Sequence, residues 1–342
     1  MSGLTTPPGE QTMLVSILNW NGTEDTIICL QGIDRAAAKQ VRFAVLDNGS
    51  QIDPSDTFKR LFPDVELVRV PQNLGFTGGH NHMIRLAIER GYKSVLILNS
   101  DCKIDIQSIV ELQITMDSDP QIAAVSSLVY RDEPVRRALM VAGWIDWGKH
   151  LSVRPSDPDA LAPANCPTLL VGTSVLLRCS ALQKIGPLDD RYFAYYEDND
   201  LSARIAAAGY RAVYCRLSIC LHRYKPLHEY GAMALYLLAR NAWLFWTTHT
   251  PVSNRAGLFR TLLSQLLHDI ALLKKNNAPQ DKIFALIDGF WDGLWKRFGP
   301  PPPTRHSPAL LRSAMTAAPY FLSQFVLQPW LTLKSKLRPT RR

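Results

Sequence analysis

The stretch "SVLILNSD" (94–101) decides the fold. Five apolar or small residues lead into Asn99-Ser100-Asp101, so a buried strand ends abruptly in polar groups. The same form precedes it three times. "MLVSILNW" (13–20) ends at Asn19 and is bounded by Asn21-Gly22. "VRFAVLDNGS" (41–50) runs into Asp47-Asn48-Gly49-Ser50, and "VELVRVPQNLGFTGGHN" (65–81) runs into Asn73 and a glycine-rich stretch. Helical patterns lie between them, near 24–32, 55–62, 83–90 and 106–117, with Asp105 placed to cap the last. Strand, loop and helix in alternation mean parallel strands joined by crossover helices. Such sheets bind ligands beyond the carboxyl ends of their strands, where Asn19, Asp47, Asn73, Asn99 and Asp101 all fall.

Beyond residue 120 the pattern changes. Strands are expected at 123–130, within 138–153, at 168–178 and at 212–221, with a Pro/Asp-rich loop over 154–167. From about 228 the chain turns helical. "YGAMALYLLARNAWLFW" (230–246) is strongly apolar, but Arg240 and Asn241 interrupt it, and it falls short of the roughly 20 apolar residues that span a bilayer. Pro300 to Pro303 form a break, and 307–333 reads as a last amphipathic or irregular segment. The expected organisation is therefore a disordered 1–11, an α/β domain over 12–226 and a helical, basic extension over 227–342.

Charge follows the same division. Residues 251–342 carry 14 Lys/Arg and 4 Asp/Glu, so the whole formal charge of +8 belongs to the last quarter. A basic segment can meet nucleic acid, an anionic membrane or a phosphorylated acceptor, and the end 334–342 can equally be a solvated tail. Six cysteines with no CxxC pair fit a reducing compartment, and the polar opening 1–11 carries no secretory pattern.

Several residues could carry chemistry. Asp101, just past a strand, can cap a turn or hold a hard divalent cation. His222 in "CLHRY" can be a structural histidine or a second ligand, since imidazole suits Mn2+. "NLGFTGG" (73–79) can cradle phosphate through backbone N–H groups or merely let helix and strand pack tightly. It is not GxGxxG and has no acid suitably placed after it, which argues against a nicotinamide oxidoreductase. In "YYEDNDLSARIAAAGYR" (195–211) a short helix starts near Asp198 and stops at Gly209. Acids in its first turn gain about 0.3–1 kcal/mol each from the helix dipole. That accounts for one or two of Glu197, Asp198 and Asp200, but not for the aromatic residues beside them. A fixed, partly shielded acid of this kind is also a reasonable general base.

In order, "LNWNG" (18–22), "VLDNGS" (45–50), "NLGFTGGHN" (73–81), "LNSD" (98–101), "GTSVLLR" (172–178), "IGPLDDRYFAYYEDNDLSARIAAAGY" (185–210) and "LHRY" (221–224) resemble the family-2 inverting glycosyltransferases, in particular their rhamnosyltransferase-like branch. The resemblance implies a GT-A fold: a Rossmann-like, mostly parallel sheet flanked by helices, here with a C-terminal helical extension. It implies a nucleotide-diphosphate sugar donor, such as dTDP-rhamnose, and a divalent cation, Mn2+ or Mg2+. By it Asn19 and Asp47 contact the nucleoside, Asp47 toward the pyrimidine. Asn73 and Gly75 line the nucleotide pocket, and Gly172-Thr173 face the donor sugar or acceptor. Asn99-Ser100-Asp101 matches the family's DxD position, with Asn99 in place of the first acid and suited to hydrogen-bond a ribose. Asp101 and His222 would bind the metal and Asp198 would be the base, with Tyr196, Glu197 and Asp200 orienting base and acceptor. The acceptor would be a glycan or a lipid-diphosphate-linked glycan, with no nucleic acid partner. The place of work would be the cytoplasm, peripheral on the inner face of the plasma membrane. Two other classes stay open: a non-catalytic scaffold or interaction protein of the same fold, and a nucleotide-binding oxidoreductase on a doubly wound sheet.

Overall fold

The computed structural model describes residues 12–135, 137–301, 306–317 and 319. The expectations for 1–11 and for the basic end 334–342 lie outside the described residues, as does 320–333. The chain divides into two compact units: Met1–Phe193 with Glu197–Tyr224, and Ala194–Tyr196 with Lys225–Arg342. The short segment Ala194–Tyr196 goes with the helical unit, which no sequence pattern announced.

In the first unit the apolar runs become strands β1 (Met13–Asn19), β2 (Val41–Asn48), β3 (Glu66–Val70) and β4 (Ser94–Asn99). β1, β2 and β4 are buried on both faces, as parallel strands between helical layers must be. Short β5 (Cys102–Ile104), β6 (Ile122–Arg131), β7 (Ala138–Met140), β8 (Trp144–Asp146), β9 (Leu151–Val153), β10 (Ser174–Arg178) and long β11 (Arg211–His222) follow. The main sheet runs β3-β2-β1-β4-β10-β6-β11-β5, with β7 beside β6, while β8 and β9 form a separate hairpin. The first four strands are mutually parallel, β10 is antiparallel to both neighbours, and β6 is parallel to β11. Since β10 runs the opposite way, its start lies at the same end of the sheet as the carboxyl ends of β1, β2 and β4: Ser174 pairs with Leu98.

The helices of this unit are α1 (Thr23–Gln31), α2 (Ser55–Leu61), α3 (Gly75–Glu89), α4 (Ile106–Asp117), α5 (Cys179–Ile185) and α6 (Glu197–Ala207). Asp105 caps α4 as expected, accepting from Ser108 N at 2.6 Å. α3 departs from expectation. It begins at Gly75, so the glycines lie in its first turns rather than in a loop ahead of it. A Cβ at Gly79 would come within 2.2 Å of Leu18 Cδ1, so this glycine lets α3 lie close on the sheet. The strand expected from 168 starts only at Ser174. The backbone before it is held by side chains instead, Leu170 N–H by Ser202 Oγ and Val171 N–H by Ser126 Oγ.

The second unit is helical: α7 (Ala232–His249), α8 (Leu258–Lys275), α9 (Gln280–Leu294) and α10 (Ala309–Ala317). α9 packs closely on α7 at Gly289, where a Cβ would sit 2.0 Å from Tyr236 O. Arg240 is wholly buried within this unit, its Nε donating to Asn241 Oδ1 and its Nη1 to Gly299 O. Among the described residues no helix is long and apolar enough to cross a membrane.

Candidate functional site

The polar strand ends converge as the parallel sheet requires. Asn19 and Asp47 are register partners, and Asn19 Nδ2 donates to Asp47 Oδ1 at 2.9 Å. Asp47 has no exposed side-chain surface, because Arg69 Nε also donates to its Oδ2 at 3.0 Å. Direct contact between Asp47 and a base is therefore not open in this arrangement. The exposed group at this strand end is Arg69, which also pairs with Asp53.

Three N–H groups at the start of α3 are already committed. Leu74 N–H is taken by Asn48 Oδ1, Gly75 N–H by Asn73 Oδ1 and Thr77 N–H by Phe193 O. These bonds fit the packing reading of this stretch. Gly75 has φ +75°, and a Cβ there would lie 2.4 Å from Phe193 O. Asn73 and Gly75 thus join the glycine stretch to the segment leading into α6. Asn81, deeper in α3, clamps the same region by donating to Leu188 O and Asp190 Oδ1 and accepting from Leu188 N–H.

That segment is strained. Phe193, Tyr195 and Tyr196 all have positive φ (64°, 68° and 73°), a conformation that costs bulky residues about 1–3 kcal/mol each. Within the second unit, Asn241 Nδ2 donates to the carbonyls of both Ala194 and Tyr195, at 2.7 and 2.8 Å, and Tyr196 lays its ring against Phe245. Asn241 was read only as an interruption of an apolar helix. A neutral amide at a fully buried position was the available signal, since it must find partners.

α6 then begins with three acids in its first turn, and their surroundings differ. Asp200 is buried and bound to Arg204 Nε at 2.7 Å, and Arg204 in turn donates to the carbonyls of Ile185, Gly186 and Pro187. Its carboxylate anchors the helix. Glu197 and Asp198 both turn toward Gly172, whose absent Cβ would lie 3.5 Å from Glu197 Oε1 and 3.7 Å from Asp198 Oδ2. Gly172 N–H donates to Asp198 Oδ2 at 3.3 Å and Asn199 N–H to its Oδ1 at 2.8 Å. Burial pushes the Asp198 carboxyl above its ordinary value, opposed by the nearby Arg154 charge and these backbone donors. Arg154, in the loop noted only as Pro/Asp-rich, was not foreseen.

Asp101 and His222 lie 121 positions apart in sequence, and Nε2 of the histidine sits 3.1 Å from Asp101 Oδ1. Both are half-buried. The β5–β11 pairing brings them together by setting His222 opposite Cys102, next to Asp101. An oxygen and a nitrogen ligand side by side match the donor set of a divalent transition-metal ion. Thr173 connects this pair to the acids of α6. Its carbonyl accepts Asn99 N–H at 2.9 Å and lies 3.9 Å from Cys102 Sγ, while Gly172, the residue before it, holds Asp198.

Searched against protein-family models, the chain matches none. Over 215 residues it is 27% identical to the N-acetylglucosaminyl-diphospho-decaprenol L-rhamnosyltransferase of Mycobacterium tuberculosis, covering 56% of this chain and 70% of that protein. Over 245 residues it is 24% identical to the low-salt glycan biosynthesis hexosyltransferase Agl10 of Haloferax volcanii, covering 69% and 76%. Among solved structures it resembles the crystal structure of GalNAc-T7 with UDP, GalNAc and Mn2+. There the TM-score is 0.50 at 14% identity, covering 64% of this chain and 44% of that one, a likeness of fold.

Proposed function

We propose that this chain, which is a family-2 glycosyltransferase of GT-A fold, moves one sugar with inversion from a nucleotide diphosphate to a hydroxyl of a glycan or lipid-linked glycan. The observation that supports this most is the Gly172-Thr173 turn. Through hydrogen bonds of its two residues it links a candidate base, Asp198, to the strand end that carries Asp101 and His222.

An inverting transfer is one in-line displacement. The Asp198 carboxylate takes the proton of the acceptor hydroxyl as that oxygen bonds to the anomeric carbon. On the opposite face the bond to the nucleotide diphosphate breaks and its electron pair leaves with the phosphate oxygen. Base catalysis of this kind contributes about 10²–10⁴-fold. Asp101 and His222 would hold the divalent cation, Mn2+ or Mg2+, which when bound neutralises charge on the departing diphosphate. Asn73 and Asn99 line the donor side, and the buried Asn19 supports it by holding Asp47 and Ser50. Asp47 acts there through the Arg69 it holds. Gly172 and Thr173 border the transferred sugar. Glu197 shares the face of Asp198, Asp200 fixes the helix through Arg204, and Tyr196 belongs to the strained entry to that helix.

The donor we infer is dTDP-rhamnose, and the acceptor a sugar on a lipid diphosphate, after the name of the mycobacterial relative. Such an acceptor places the work at the inner face of a membrane. The basic last quarter suits that surface, each cation gaining about 1 kcal/mol near anionic lipid. The test is incubation with a panel of nucleotide sugars and a short polyprenyl-diphosphate N-acetylglucosamine, with products read by mass. An added deoxyhexose is expected. A folded protein that extends the acceptor with no donor in the panel would overturn the reading.

A further inference from the structure

We propose that Cys102 completes a three-ligand site with Asp101 and His222, so that this site takes a thiophilic ion such as Zn2+ or Co2+ as well as a hard cation. The carboxylate, thiol and imidazole ligand atoms all lie within 4.8 Å of one another. The register explains why. Cys102 and His222 are direct partners on the β5–β11 ladder, and directly opposed residues present their side chains to one face. Asp101 immediately precedes β5, and its Oδ1 meets His222 Nε2. Cys102 is buried while Asp101 and His222 are half-buried, so the sulfur lies on the protected side of the group.

The ligand chemistry separates two classes of ion. Mg2+ takes oxygen ligands and keeps much of its water, so the sulfur is of no use to it. Zn2+ and Co2+ accept O, N and S together, and three protein ligands with one open position is a familiar zinc arrangement. They also bind a given site more tightly than Mn2+ does. Binding forms a metal–sulfur bond, breaks the S–H bond and releases the proton to solvent. A thiophilic ion is then expected to displace Mn2+. The inference rests on the Asp101–His222 geometry and shares these residues with the proposed donor site.

The test is titration of the full chain with Co2+, reading the sulfur-to-cobalt charge-transfer absorption. The wild type and Cys220→Ser are expected to develop the band to saturation at one equivalent, and Cys102→Ser, shown folded by circular dichroism, is expected to lack it. X-ray absorption at the zinc edge of the Zn2+-loaded wild type, where no variant is needed, is expected to show one sulfur at about 2.3 Å. Co2+ bound without a sulfur band, a band that survives Cys102→Ser, or a zinc shell of oxygen and nitrogen alone would overturn the inference. Mn2+ binding followed by electron paramagnetic resonance distinguishes the two readings. If Mn2+ still binds while no sulfur signal appears, this inference fails and the proposed cation site stands. Binding of no metal by the folded protein removes both.

Discussion

The main-chain N–H of Gly172 meets Asp198 Oδ2 at 3.3 Å, and no side chain stands between them because residue 172 has none. The carboxylate is thereby aimed at the turn before β10, while Asn199 N–H holds its other oxygen. A carboxylate fixed by two backbone donors and partly withdrawn from water is suited to take one proton from one direction.

Replacing it separates function from stability. Burial holds the Asp198 carboxyl above its ordinary 3.8. A native pKa above the unfolded one means that the ionised group opposes folding, so stability falls as pH rises through that window while activity rises with it. Asp198→Asn is expected to lower kcat by about 10²–10⁴-fold and to leave the protein at least as stable at neutral pH. Initial rates and thermal melts across pH check both. Full activity in the variant would remove the base assignment.

Gly75 is predicted to tolerate no side chain. Its φ of +75° and the 2.4 Å approach of a Cβ to Phe193 O act together, and the obstacle is backbone that cannot swing away. The left-handed conformation and the overpacking each cost about 1–3 kcal/mol. Gly75→Ala should therefore lower the unfolding free energy by about 2 kcal/mol or more, as read by urea denaturation. A variant as stable as wild type would mean that the segment before α6 is not held as described.

Asn241 tests that segment from within the helical unit. Its amide donates to Ala194 O and Tyr195 O beside two residues at positive φ. Asn241→Ala should destabilise by about 1–3 kcal/mol through the unsatisfied carbonyls. Asn241→Asp, which keeps the shape but replaces the donor by an acceptor, should be at least as destabilised. Hydrogen exchange at residues 193–197 gives the local readout: faster exchange is expected in Asn241→Ala, and unchanged exchange would deny the amide its positioning role.

His80 supplies a pH dependence of stability. It is fully buried, its Nδ1 is 3.2 Å from Ser16 Oγ, and burial lowers its pKa from 6.5 to about 3. The unfolded chain takes up a proton near 6.5 and the native chain does not. Stability from this group is therefore complete above pH 6.5 and is lost as pH falls toward 3, by at most about 1.4 kcal/mol per unit. Urea melts at pH 7 and pH 5 are expected to differ less in His80→Asn than in the wild type. Equal differences would contradict the assignment.

Much of the α/β sheet was legible, because a parallel strand buried on both faces must be an apolar run and its ligand end must turn polar. β1, β2 and β4 met that rule closely. The start of α3 was not legible. Glycines at 75, 78 and 79 look like a loop, and only the nearness of Phe193 and Leu18 shows that they are helical and close-packed. The segment near 138–153 broke into three short strands, since Gly143 and the turn over 147–150 interrupt its apolar residues. At the site, Asp101 and His222 were named from their places at strand ends, but only β11 lying next to β5 brings them together. Asp200 looked equivalent to Asp198 along the chain. Its salt bridge to Arg204, one helical turn on, gives it a different task.

The most direct test is calorimetric titration of the folded protein with pyrimidine-diphosphate sugars, with and without Mn2+, alongside Asp101→Asn. The account predicts that one donor binds, that binding requires Mn2+, and that Asp101→Asn abolishes it. Failure of every donor to bind, or binding of equal strength without Mn2+ and in Asp101→Asn, would contradict it.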